Sequence, residues 1–148
     1  SCSVTGKLQP SLENFYKEIE NQMYKGLNIH MIKDPDLSYL AEQGVLLLNA
    51  ALTTSRGKPG DHLQLWEPFM MHLFENVFTI GAPIIFLGKE SSKLSKHIFP
   101  FTWYFEISHP ASAAYSNEEW NSEGVFQKVN KILMDNHGEN IEWARVEQ

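Results

Sequence analysis

Apolar positions fall along the chain in blocks, and the spacing within each block predicts an element. Leu12, Phe15, Ile19 and Met23 recur at helical intervals, with Lys17, Glu18 and Glu20 elsewhere on the wheel. This predicts an amphipathic helix of about three turns, with Ser11 as its N-cap after the loop that ends at Pro10. Asp34, Pro35 and Asp36 open a short helix over 37–43, which Gly44 can close in the left-handed conformation. Val45, Leu46, Leu47 and Leu48 then run together without a polar break, the pattern of a strand buried on both faces. Trp66, Phe69, Met70, Leu73, Phe74 and Val77 trace a second helical stripe to about Gly81, with Pro68 tolerated if it falls near the first turn. Strands are predicted over 83–87 and 103–108, a short helix over 91–98, and a last helix through Val125, Val129, Ile132 and Leu133 to near Gly138. Residues 1–4 can be the tail of a strand, 26–33 fit neither period, and 141–143 form a short tail.

Strands alternating with helices imply right-handed crossovers and a parallel sheet with helices on both faces. The three strands end at Asn49, at Gly88 and Lys89, and at His109 and Pro110. Parallel strands would gather these corners on one sheet edge, where ligands bind in open α/β folds. Asn49 can end its strand by bonding the local backbone or can face a ligand with a donor and an acceptor. His109 can be a base, a hydrogen-bond donor, a metal ligand or a structural histidine, and the following proline holds it in an extended corner.

Composition narrows the picture. With 148 residues, 43% of them hydrophobic, the chain can bury one substantial core, so a single domain over 1–148 is expected. A net charge of -6 argues against a broadly basic surface, so nucleic-acid contacts would be a local patch plus neutral donors. The glycine-rich loop 55–62 carries two of the few cations, Arg56 and Lys58. The lone Cys2 cannot form an internal disulfide, and without an apolar span of about eighteen residues or a leader a soluble, reducing compartment is the expectation: cytoplasm, or nucleus in a eukaryote. None of the six histidines pairs at ligand-like spacing with a cysteine or carboxylate motif, so no metal or other cofactor is expected. Gly88-Lys89 lacks the rest of a phosphate-binding loop, there is no Gly-x-Ser-x-Gly elbow, and nothing around Cys2 would activate a thiol.

Several strings together resemble the uracil-DNA glycosylases of the classical α/β type. They are Ser1-Cys2-Ser3-Val4, residues 9–18 (QPSLENFYKE), residues 43–53 (QGVLLLNAALT), Leu87-Gly88, His109-Pro110 with Tyr115 downstream, and Ile141-Glu142-Trp143. The leucine-rich run ending in Asn-Ala-x-Leu-Thr is the most specific of them. The resemblance implies a three-layer α/β/α fold with a central, mostly parallel four-stranded sheet. It implies an enzyme that flips a uridine out of DNA and hydrolyses its N-glycosidic bond. Asn49 would read one edge of uracil, and His109 would donate to the uracil O2 as charge builds there. Ser11, Gly88, Lys89 and Ser112 would grip phosphates, and Cys2 stands where the family has a phenylalanine that stacks on uracil. Uracil-containing DNA is then the partner, a protein inhibitor or replication partner is compatible, and the state is monomeric with no membrane.

The chain departs from the family pattern at defined places. The family's water-activating aspartate lies in a Gly-Gln-Asp-Pro-Tyr-His loop that occurs nowhere in these 148 residues. The segment after His109-Pro110 reads Ala111-Ser112-Ala113-Ala114, without the leucine that wedges into the duplex. The expectation is therefore part of a longer glycosylase, inactive alone, whose missing N-terminal segment also carries a central strand. Two other readings stay open: a non-catalytic relative that binds DNA or a replication partner, and a small-molecule-binding α/β protein, which no glycine-rich phosphate loop supports.

Overall fold

The computed structural model describes residues 7–147; Cys2 and the strand expected over 1–4 lie outside them. In chain order the elements are α1 (Pro10–Ile19, continued by a π turn over Glu20–Tyr24), β1 (Met31–Ile32), α2 (Ser38–Glu42), α3 (Leu63–Asn76), β2 (Ile84–Leu87), α4 (Lys89–Ser92, continued as a 3-10 turn over Lys93–His97), β3 (Tyr104–Ile107), α5 (Pro110–Ala113), α6 (Val125–His137) and β4 (Arg145–Val146). They form two compact units: Ser1–Leu46 with Ser108–Gln148, and Leu47–Ile107.

The first unit is built on aromatic packing. On α1, Tyr16 and Ile19 are fully buried, and Phe15 meets Phe126 of α6 edge to face at 5.2 Å. Phe126 also packs on Trp143 at 4.9 Å and on Trp120 at 6.3 Å. Asn130 of α6 clasps the C-terminal segment. Its Oδ1 accepts from the Ile141 N–H and the Trp143 indole, and its Nδ2 donates to the Ile141 carbonyl. Tyr39 donates to the Trp143 carbonyl at 2.6 Å, and Gln43 bonds both backbone groups of Glu142. These side chains deliver β4 to β1, where Met31 pairs with Val146 and Ile32 with Arg145 in antiparallel register. Arg145 lies over the Tyr39 ring and pairs with Asp34.

In the second unit β2 and β3 are parallel, from Ile84 beside Tyr104 to Leu87 beside Ile107. Phe86 is buried between Phe74 of α3 and Tyr104. Glu67 of α3 accepts from Lys96 at 2.6 Å and His97 at 2.9 Å, tying the 3-10 turn to the helix.

Several expectations are corrected. Instead of one four-stranded sheet the described residues form two two-stranded sheets. Residues 45–48 belong to no helix or strand and pair with no other strand, and Leu46, Leu47 and Leu48 are 66%, 56% and 41% exposed. A continuous apolar run selects an extended backbone, but a strand also needs a neighbour for its N–H and C=O groups, and no described strand supplies one. Ser11 is not the N-cap of α1: Gln9 is, because Pro10 starts the helix with φ already set and no N–H to satisfy. Pro68 stands in the second turn of α3, where its ring removes the bond to the Gln64 carbonyl. The segment that fitted neither period contains β1, a strand too short to show an alternation.

Replacing Asn130 with alanine removes three bonds from the clasp and leaves the Ile141 groups unpaired. The expected cost is about 2 kcal/mol, read as a lower urea midpoint at unchanged slope. An unchanged midpoint would show that the clasp contributes nothing.

Candidate functional site

In the first unit, His109 is the N-cap of α5, with backbone at φ -73°, ψ 136°. Its Nδ1 accepts the Ala111 N–H at 3.0 Å. A ring nitrogen that accepts from an amide carries a lone pair, so the proton of the neutral imidazole sits on Nε2. Although the residue as a whole is exposed, neighbouring protein desolvates the ring enough to lower its pKa below the ordinary histidine value. The amide bond to a neutral Nδ1 acts in the same direction. His109 is thus built as a neutral Nε2–H donor, suited to an oxygen that gains negative charge. Ser112, one turn on, donates its hydroxyl to the His109 carbonyl at 2.7 Å. Ser11 stands at the second position of α1, half-buried, and caps nothing.

In the second unit, Gly88 follows β2 with φ +91° and ψ 164°, a conformation that side chains disfavour strongly. Its N–H extends the parallel ladder to the Ile107 carbonyl at 2.8 Å, and Lys89 opens α4 exposed to solvent. Asn49 is exposed and, with Ala51, Leu52, Thr53, Thr54, Pro59 and Gly60, lines an open cleft of about 330 Å³. The sheet brings the ends of β2 and β3 side by side, but it does not organise the Asn49 corner, because residues 45–48 are unpaired.

A hydrogen-bond network stiffens the loop after Asn49. Thr53 Oγ1 accepts from the Trp66 indole and bonds His62 Nδ1, both at 2.8 Å. Asp61 Oδ1 accepts from the Ser55 N–H and the Thr54 hydroxyl, both at 3.0 Å. Bonds from Ser55, then Thr54, hold the Asp61 carboxyl at about 2. Ser55, His62 and Asp61 do not form a catalytic triad: Ser55 at 3.2 Å and Asp61 at 3.7 Å both face Nε2, leaving no relay across the ring. A carboxylate with so low a pKa is also a poor base for water. The glycine-rich composition of this loop gives no sign of the network, since its hydroxyl and indole partners lie nine and thirteen residues apart and follow no period. Among the described residues no group of three His, Cys, Asp or Glu side chains could hold a metal ion, and no helix is long and apolar enough to cross a membrane.

No protein-family model matches the sequence. The chain is 34% identical over 140 residues to the uracil-DNA glycosylase of Streptococcus pneumoniae serotype 19F (strain G54), a match covering 92% of this chain and 61% of that relative. The same values relate it to the enzyme of strain JJA. The chain belongs to the uracil-DNA glycosylase family. Solved structures give the same architecture. A mimivirus uracil-DNA glycosylase superposes with a TM-score of 0.67 at 24% identity, over 90% of this chain and 54% of that one. A mimivirus UNG variant in complex with UGI gives 0.74 at 22%, over 95% and 58%. The chain therefore spans about three-fifths of the length of the curated relatives it matches.

The Asp61 bonds predict a pH dependence. A carboxyl whose folded pKa falls from 3.8 to about 2 contributes stability above the unfolded value and loses it as pH drops from 3.8 towards 2. Carboxyl NMR should show Asp61 still ionised at about pH 3, with loss of Ser55 amide protection below that. A midpoint near 3.8 would contradict the network.

Proposed function

We propose that this chain is the base-reading part of a DNA repair glycosylase that flips uracil from DNA and releases it by hydrolysis, the water-activating carboxylate being supplied from outside these 148 residues. Within a family of uracil-DNA glycosylases, the observation that carries the reading is the neutral Nε2–H of His109, presented by the Ala111 bond to Nδ1.

As the bond between uracil N1 and the deoxyribose C1′ stretches, electrons move into the ring and charge builds on O2. The His109 Nε2–H donates to that oxygen; the lowered imidazolium pKa keeps the ring neutral, and a neutral imidazole N–H is too weak an acid to give up its proton while it stabilises the charge. Asn49, exposed at the rim of its cleft, supplies an amide that can accept from uracil N3–H and donate to O4. Cytosine offers a bare N3 and an amino group at those places, so the same amide would meet reversed polarity. Lys89 gives phosphate an exposed ammonium; the Gly88 N–H is already occupied by Ile107. Ser11 and Ser112 complete the phosphate contacts, Ser112 only after its hydroxyl leaves the His109 carbonyl. Cys2, outside the described residues, is assigned to substrate contact by the family resemblance alone. The partner is uracil-containing DNA, and the unit acts as a monomer.

A specific observation favours a second reading, a non-catalytic relative that binds DNA or a replication partner. The Asp-Pro loop is absent from the sequence, and Asp61, held at about 2, does not replace it as a base.

The test uses a uracil-containing oligonucleotide and the complete gene product. His109→Ala should lower kcat by about 10²–10³-fold with DNA binding retained, and Asn49→Asp should abolish the preference for uracil over cytosine. The 148-residue chain alone should bind the oligonucleotide without releasing base. A complete protein that releases no uracil would leave the binding-module reading.

A further inference from the structure

We propose that Asn14 and Trp120 are positioning residues for His109, holding the peptide groups on either side of it so that the imidazole keeps its tautomer and aim. The inference rests on the reading of His109 given above. Asn14 Nδ2 donates to the Pro110 carbonyl at 2.9 Å, and the Trp120 indole N–H donates to the Ser108 carbonyl, also at 2.9 Å.

Those two carbonyls belong to particular peptide planes. The Pro110 C=O shares its plane with the Ala111 N–H, the group that donates to His109 Nδ1. Asn14 therefore fixes the orientation of the donor that sets the tautomer. The Ser108 C=O shares its plane with the His109 backbone nitrogen, so Trp120 fixes the rotation from which the side chain departs. The helix that His109 caps has only four residues and is too short to hold its own geometry. Its restraint has to come from outside. Both anchors stand on packed elements: Asn14 sits on α1 just before the fully buried Tyr16 and Ile19, and Trp120 is 5% exposed against Phe126. Packing alone would be served by apolar residues, whereas both positions carry donors aimed at the carbonyls that bracket one histidine.

The test is imidazole ¹⁵N NMR on the labelled complete gene product, together with amide exchange at Ala111, for wild type, Asn14→Leu and Trp120→Phe. Wild type should show a single neutral tautomer with the proton on Nε2. Each variant should shift the ring towards a mixture of tautomers and accelerate Ala111 exchange about three- to tenfold, the loss expected for one hydrogen bond. A purely structural role would lower the urea midpoint and leave the tautomer alone. The inference is overturned if both variants keep the Nε2–H tautomer and exchange at Ala111 within about twofold of wild type. Should Asn14→Leu fail to fold, Trp120→Phe, which keeps the buried ring, decides the matter alone. Turnover by His109→Ala in the complete protein is read separately: its persistence would remove the catalytic reading and leave the positioning result standing.

Discussion

Phe126 is the contact on which the first unit depends. One ring on α6 meets Phe15 from α1, Trp120 from the loop before α6 and Trp143 from the C-terminal segment, all edge-on or tilted. Such pairs add about 0.5–1.5 kcal/mol beyond the area they bury, and here they share a single hub. Each partner also carries or adjoins a polar anchor. Asn14 precedes Phe15, the Trp120 indole reaches Ser108, and the Trp143 indole reaches Asn130. The aromatic cluster is thereby linked through Asn14 and Trp120 to the backbone carbonyls of Pro110 and Ser108 beside His109.

The chemistry itself is modest in its demands. Transition-state charge on a pyrimidine oxygen calls for a fixed donor rather than a strong acid, and a neutral imidazole whose second nitrogen is occupied provides one. The acidic composition is compatible with the proposed reaction, which asks for one fixed hydrogen-bond donor and not for a field of cations. The loop network around Asp61 shows the opposite use of a carboxylate. Three donors hold it ionised and unreactive, so it stiffens the segment that follows Asn49 instead of taking protons.

Much of this was legible from residue spacing. The stripes through Phe15 and Ile19, through Met70 and Phe74, and through Val125 and Val129 all became helices, because burial of one face repeats every three or four residues. Strands β2 and β3 were equally visible as short apolar runs. The run Val45 to Leu48 looked stronger than either and is not a strand, since pairing depends on a neighbour distant in sequence. Strands β1 and β4 went unread for the converse reason: two residues each carry no period, and side chains of Tyr39, Gln43 and Asn130 bring them together from far along the chain.

By itself the sequence determined the main helices, the two apolar runs that became β2 and β3, and the family, because these reside in local periodicity and in short strings of side chains. Only the tertiary structure decided which nitrogen of His109 carries the proton and why Asp61 cannot act as a base. Both are matters of hydrogen-bond geometry: the Ala111 amide on Nδ1 and the donors on Asp61 are local partners, but no residue period announces which of them bond, and only the folded backbone fixes it.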